Sequence, residues 1–177
     1  VARNVHLLVF ALDDRLYALR LAQVDRVIRA VDATPLPQAP EVVMGAVNFQ
    51  GKIIPLLDAR RRFGLARREP GIDDQFIIAN TNTIGPSTVG ASTIGVATGR
   101  RTVAVVVDAV KDVVQRAEHE ITAAEKFLRP LNYVDGVVEL ADGLVLIHDL
   151  DRFFSIEEEG ALQAALTAEG GHATQNR

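Results

Sequence analysis

Apolar residues along this chain recur mostly at every second position, or in short unbroken runs closed by turn residues, which predicts many short strands. His6–Leu12 and Leu16–Leu19 flank Asp13-Asp14-Arg15 and predict a first hairpin. Leu21, Val24, Val27 and Ile28 fall at helical spacing, with Asp25 and Arg29 placed as an i,i+4 ion pair. That predicts one or two helical turns leading into extended chain. Thr34-Pro35-Leu36-Pro37 and Pro40 then bar regular structure. Val42–Phe49 and Lys52–Leu57 predict a second hairpin about Gln50-Gly51. Pro55 lies inside its second arm, so the missing N–H should face an edge or a bulge. Asp58 is placed to cap a short helix through Arg60 to Phe63, which Gly64 can end in the left-handed conformation. Further strands are expected at Gln75–Asn80, Thr102–Asp108, Asp112–Arg116, Tyr133–Leu140 and Leu144–Leu150, with Ala141-Asp142-Gly143 as a turn. Roughly ten short strands with few helices indicate barrels or a sandwich rather than an α/β sheet.

The pattern changes at the C-terminus. Ser155-x-x-Glu158 is a capping box, Leu162 and Leu166 lie one turn apart, and Gly170-Gly171 should stop the helix. Gly160 inside it costs about 1 kcal/mol relative to alanine, so this helix needs a surface to dock on. Beyond Gly171 a polar, disordered tail is expected. A second departure is TIGPSTVGASTIGVATG, from Thr83 to Gly99, where threonine returns every five residues and no charge occurs. It reads either as a sticky β-ribbon or lid, or as an expanded hairpin loop without a task. Growth of such a loop is thermodynamically cheap, because closure entropy rises only logarithmically with length.

Composition narrows the chemistry. Apolar residues make up 48% of the 177, but aromatics only 5%, and tryptophan is absent, so Val, Ile, Leu and Ala fill the interior. This length suits one domain or two small lobes sharing a core. The net charge of −4 makes any basic patch local and the whole molecule a poor match for a polyanion. With no cysteine, disulfides, thiolate metal sites and cysteine nucleophiles are excluded. There is neither a basic leader followed by a long apolar run nor a stretch of ~18 consecutive apolar residues. A soluble cytoplasmic protein is expected, the alternative being an exported, disulfide-free chain whose signal has been removed.

Candidate catalytic groups do not assemble. His6, His119, His148 and His172 show no i,i+4 or HExxH spacing, and His148 reads as a structural or surface histidine rather than a metal ligand. Ser87 and Ser92 lie in the repeat and Ser155 caps a helix, so no nucleophile elbow exists. No glycine-rich loop precedes Lys-Ser/Thr. Asp73-Asp74 would point to opposite faces of a strand. The sequence predicts no enzyme and no cofactor. Arg60, Arg61 and Arg62, with Arg67 and Arg68, form a basic cluster, but only Phe63 accompanies them where nucleic-acid binding would interleave aromatics. Three successive side chains fan around one helical turn, which reads as a solvated helix with one arginine paired to a local acid, not a phosphate site.

The runs VDRVIR, TPLPQAP, GAVNFQGKIIPLLDARRRFGL, VAVVVDAVKDVV and YVDGVVELADGLVLIHDLDRFF together resemble the CheW-like chemotaxis coupling (adaptor) family. The most specific element is Gly-x-x-Asn-x-x-Gly-x-Ile-x-Pro-x-x-Asp-x-Arg, here Gly45 to Arg60. The resemblance covers nearly everything outside the repeat and the tail. It implies a mainly β fold of two small SH3-like five-stranded β-barrel lobes with short helices and a C-terminal α-helix. The expected domain is 1–156, with lobe one at about 26–74, lobe two from 5–25 and 75–152, and 81–99 as a low-complexity loop insertion. Residues 157–177 would be the C-terminal helix and tail. The implied role is a non-catalytic scaffold joining the regulatory domain of a CheA-type histidine kinase to the cytoplasmic hairpin tip of chemoreceptors. No nucleic acid and no direct membrane insertion are implied. A groove between lobes can grip a helical hairpin without chemistry.

By this resemblance the receptor groove includes Val24, Arg26, Val27, Gln50, Ala104 and Val113. The kinase contact falls on the first lobe around Val42, Val43, Met44 and Ile54. Two departures stand out. Asn48-Phe49-Gln50-Gly51 replaces the family's usual Asn-Leu-Arg-Gly, so a guanidinium that could pair with a carboxylate becomes an uncharged amide. The repeat also lengthens a connection that is short in the family. The alternatives left open are a small-ligand-binding β-barrel module and a CheW-like docking module with non-receptor partners.

Overall fold

The computed structural model describes residues 3–89, 92–126, 133–154 and 156–172. The first apolar runs form β1 (Asn4–Leu12) and β2 (Arg15–Arg20), paired antiparallel across a turn in which Asp13 takes a positive φ of 52°. The helical spacing after them yields only a three-residue 3-10 turn, Leu21–Gln23, before β3 (Val24–Arg29) begins. Asp25 pairs with its neighbour Arg26 at 3.1 Å. The β-branched Val24, Val27 and Ile28 favour extended chain, and a neighbouring strand supplies the backbone partners that a two-turn helix would have lacked.

Next come β4 (Val43–Phe49), β5 (Lys52–Leu57) and the one-turn α1 (Ala59–Arg62). β6 (Gln75–Val89), β7 (Ser92–Val107), β8 (Ala109–Ala117), β9 (Thr122–Ala123), β10 (Val134–Leu140) and β11 (Gly143–His148) follow, and α2 (Ile156–His172) closes the described chain. Pro55 sits in β5 without loss. Its register partner Ala46 exchanges both backbone bonds with Thr34, so the Ala46–Pro55 pair is a non-hydrogen-bonded one. The parallel pairing of β5 to β7 covers only Leu56 and Leu57.

Two sheets result, ordered β8-β1-β2-β11-β10-β9 and β3-β6-β7-β5-β4. The fold is mainly β and two-lobed, as expected, though one sheet has six strands. The sixth, β9, is two residues long, and its counterpart in the other sheet is the single bridge between Thr34 and Ala46. The five-stranded sheet curls strongly: Arg26 on one edge strand lies over the ring of Phe49 on the other, 5.5 Å from its centroid.

The lobe boundaries differ from those expected. β6 and β7 pair with β3 and β5, so 24–107 build one lobe while 4–20 and 109–148 build the other. Grouping by proximity in sequence misses this, because a parallel step such as Leu56–Ala104 joins segments far apart in the chain. The low-complexity stretch, expected as a loop insertion over 81–99 with a β-ribbon as the other reading, has the backbone of the ribbon. The β6–β7 ladder continues through it to Val89 and Ser92, with a bulge near Pro86, so the backbone is a paired ribbon and not a loop. Its Thr, Val and Ile residues favour that extended state.

Three apolar clusters hold the molecule. Val47, Ile54, Leu56, Phe76, Ile78, Ala104 and Val106 fill one lobe, and Leu7, Val9, Ala18, Val138, Val145 and Ile147 fill the other. The largest cluster lies where Phe10, Tyr17 and Leu19 of one sheet meet Leu57, Ile77 and Val105 of the other. Helix α2 docks there through buried Leu162 and Ala165, with Leu166 alongside. It runs past Gly170-Gly171 to His172, since glycine weakens a helix by about 1 kcal/mol without having to end it. Ser155 and the tail from 173 onward lie outside the described residues.

Candidate functional site

The basic cluster turns out to be only partly exposed, with Arg60 buried and Arg62 half-buried. Asp58 accepts the Arg60 N–H at 3.0 Å and starts α1, which ends before Gly64 at φ 66°. Arg60 is only 4% exposed, where a solvated helix was expected. Its Nη1 donates to Asp13 at 2.7 Å, and Nη2 donates to both oxygens of Asp108 at 2.7 and 2.8 Å. Asp108 also accepts from Arg68 at 2.5 Å and from the Asp13 N–H at 2.6 Å. Burial pushes the Asp108 carboxyl up, but these donors outweigh it and hold the group below the usual range. Arg62 donates to the Phe153 carbonyl at 2.9 Å and to Glu158 at 2.5 Å, and lies 4.4 Å over the Tyr133 ring. Arg61 pairs with Glu41. Arg60 and Arg62 fasten one lobe to the other and to α2, while Arg61, Arg67 and Arg68 stay exposed.

His148 is interior, at 1% exposure. It stacks on Phe153 at 5.3 Å and meets Phe63 edge-on at 5.0 Å, and neither ring nitrogen has a hydrogen-bond partner. Burial pushes its pKa down to about 3, against a small opposing effect of the Asp149 backbone. Among the described residues no group of three or more His, Cys, Asp or Glu could hold a metal ion. No helix among them is long and apolar enough to cross a membrane.

What remains for recognition is surface. Arg26 and Gln50 come together at one corner: Arg26 reaches from β3 across Phe49, and Gln50 follows Phe49 in the two-residue turn to β5. Both are exposed. Val24 and Val27 are half-buried against the interlobe core. Val113 is 46% exposed, on β8 of the other lobe. Ala104, by contrast, is fully buried between β6 and β5 and offers no atom to a partner. Most residues expected at the kinase contact are also interior: Val42, Val43 and Ile54 are buried, and Met44 packs on the first-lobe core. The outward residue in that register is Ile53, 56% exposed, one position from Ile54. Strand alternation would not have flagged it, because Lys52 and Ile53 are both exposed beside the turn and Ile54 begins an unbroken buried run. Phe49, which positions Arg26, was also missed, because its partner lies on a strand distant in sequence.

A two-lobed β scaffold with filled lobe interiors, Arg60 and Arg62 spent on pairs between its parts and an exposed hairpin corner defines a docking module. Residues 6–158 match the CheW-like domain family, and the chain belongs to that family. It is 26% identical over 159 residues to a chemotaxis protein CheW of Rhizobium meliloti, covering 88% of this chain and 90% of that one. A Klebsiella aerogenes chemotaxis protein CheW is also 26% identical, with 85% and 82% covered. Among solved structures, the scaffolding protein TtCheW from Thermoanaerobacter tengcongensis superposes with a TM-score of 0.70 at 27% identity, covering 88% of this chain and 96% of that one.

Proposed function

We propose that the chain is a non-catalytic adaptor of chemosensory signalling in the cytoplasm, coupling the regulatory domain of a CheA-type histidine kinase to the hairpin tip of a chemoreceptor. The observation that carries this reading is the family match across both lobes, residues 6–158, not across one barrel alone. An adaptor needs two separately addressable faces on a stiff body, and the interlobe core and arginine pairs supply the stiffness. On the receptor side the reading uses Arg26, Gln50 and Val113 directly, with Val24 and Val27 as the apolar floor. On the kinase side the exposed Ile53 takes the part expected of Ile54, with Met44 beside the sheet edge.

The small-ligand alternative gains nothing from the interlobe region, because Phe10, Tyr17, Leu57 and Ile77 fill it. Calorimetric titration with the kinase regulatory domain and, separately, with a receptor tip fragment tests the proposal. Binding of both, each unaffected by saturation with the other at its own face, is expected. A chain that binds neither would remove the adaptor reading.

A further inference from the structure

The corner that carries Gln50 is not without charge. The guanidinium of Arg26 lies 5.5 Å from the Phe49 ring centroid, and that ring is itself packed against the first-lobe core. Its Nε donates to Asp25 at 3.1 Å. The two terminal nitrogens, which form the planar fork, make no hydrogen bond to the described residues. Gln50 is adjacent, held out from the body by a turn with φ 51° at Gln50 and 79° at Gly51. The Asn48 Oδ1 accepts the Gly51 N–H at 3.0 Å and fixes that turn. A flexible arginine at the turn would lose rotamer freedom on binding. One laid on an aromatic ring is already oriented.

Resting on the adaptor reading for the identity of the partner, we propose that Arg26 is the specificity-determining cation of the receptor contact. It presents its fork to a carboxylate on the receptor tip, Phe49 acts as the positioning residue, and Gln50 donates its amide beside it. The cation expected at position 50 is thereby supplied from the opposite edge strand of the same curled sheet. Geometry gives the reason: only because β3 and β4 roll toward one another can a β3 side chain reach the β4–β5 turn. A planar guanidinium takes a carboxylate through two parallel bonds, which an ammonium cannot reproduce.

The test is titration of the intact chain with a receptor tip fragment, with the kinase regulatory domain as a parallel readout. Arg26→Glu should weaken tip binding more than about tenfold, Arg26→Lys about fivefold and Phe49→Leu about threefold, with kinase affinity unchanged. Raising salt should weaken the wild type and strengthen Arg26→Glu, whose carboxylate is repelled by that of the partner. Gln50→Arg, which adds a second cation at the same corner, should stay within about twofold of wild type. Tip binding of Arg26→Glu equal to wild type would overturn the assignment and leave the adaptor reading standing. So would a tenfold gain from Gln50→Arg, which would put the determining charge at the turn. A wild-type chain that fails to bind the tip would overturn both. Arg26 is 51% exposed, so its variants should keep the wild-type denaturation midpoint, and a cooperative unfolding transition will show that Phe49→Leu folds.

Discussion

Two stretches of this chain, Gly45–Phe63 and Gly136–Phe154, do the same structural work in different lobes with different residues. In each, thirteen positions separate a glycine from a capping aspartate, Asp58 or Asp149. The burial sequences of β4 and β10 are identical, and each strand has a register irregularity just before its glycine. Each second arm, β5 or β11, then pairs in parallel with the hairpin strand of its own lobe. Each cap aspartate starts a single helical turn. What differs is the traffic across the junction. Arg60 reaches the β1–β2 turn of the other lobe at Asp13. The matching residue, Asp151, instead accepts from Thr81 at 3.0 Å and from the Asn82 N–H at 2.7 Å on the other lobe's hairpin. The lobes clasp one another with opposite charges, so the backbone frame is duplicated while the contacts are complementary.

The glycines should give the largest effects. A Cβ on Gly45 would stand 2.5 Å from the Thr34 carbonyl oxygen, and one on Gly136 would stand 2.8 Å from that of Thr122. Both oxygens are backbone, in the segments that add the last bridge to each sheet, and at Gly136 the Ile121 Cγ2 crowds as closely, at 2.8 Å. Gly45→Ala and Gly136→Ala should each cost about 2–4 kcal/mol in denaturant unfolding, with Gly45 the worse. A cost under about 0.5 kcal/mol at either site would break the equivalence of the lobes.

The clasp comes next. Arg60→Leu leaves Asp13 and Asp108 without their shared cation, although Arg68 still reaches Asp108. A loss of about 2–3 kcal/mol is expected, below the cost for a fully buried pair because Asp13 is half exposed. Asp151→Asn keeps the shape of its contacts and should cost about 1 kcal/mol less. Equal losses would mean that charge is not what distinguishes the two sides. Asp108 is held below its ordinary pKa, so its contribution is present above the unfolded value and fades as pH falls through the folded one.

How much of this was legible in the sequence follows from what each signal depends on. The hairpins about Asp13, Gln50-Gly51 and Ala141-Asp142-Gly143 were legible because turn chemistry and alternation are local. So was Asp58 as a helix cap. The lobe assignment of β6 and β7 was not, because parallel pairing leaves no local trace. The environment of Arg60 was not either: its partners lie at Asp13 and Asp108, and helical geometry alone says only that three arginines diverge. Burial of Ala104 follows from its central place in an unbroken apolar strand, which could have been read from Val103 to Val107. The duplication itself was present in the sequence as the shared glycine-to-aspartate spacing, too diverged to show as repeated letters.

Leu57 and His148 occupy matching positions, one residue before their cap aspartates, and both are buried. Leucine suits that apolar slot, whereas the imidazole leaves two nitrogens unpartnered. His148→Leu should therefore stabilise by about 1–2 kcal/mol. It should also remove a pH dependence. The native histidine stays neutral to about pH 3, while the unfolded one binds a proton near 6.5. Stability is thus complete above pH 6.5 and falls with acidification, by about 2 kcal/mol between pH 7 and 5. Unfolding curves at those two pH values should differ for wild type and nearly coincide for His148→Leu. A destabilised His148→Leu would show that the ring is held by contacts a leucine cannot replace.

The smallest effect separates the two turns. Gln50 takes φ 51°, a left-handed conformation that glutamine adopts poorly and asparagine tolerates. In the matching hairpin the positive φ falls on Gly143, which carries no penalty, and Ala141 has none. Gln50→Asn should then stabilise by about 0.5 kcal/mol, while Ala141→Asn should not. The gain would come at the corner where Arg26 lies over Phe49, and the shorter amide would reach less far toward a bound carboxylate. A more stable Gln50→Asn that binds the receptor tip less tightly would tie the strained turn to recognition, since the strain holds a longer side chain where a partner can meet it. Equal tip affinity would leave the left-handed glutamine as a feature of the turn alone and confine the contact to Arg26.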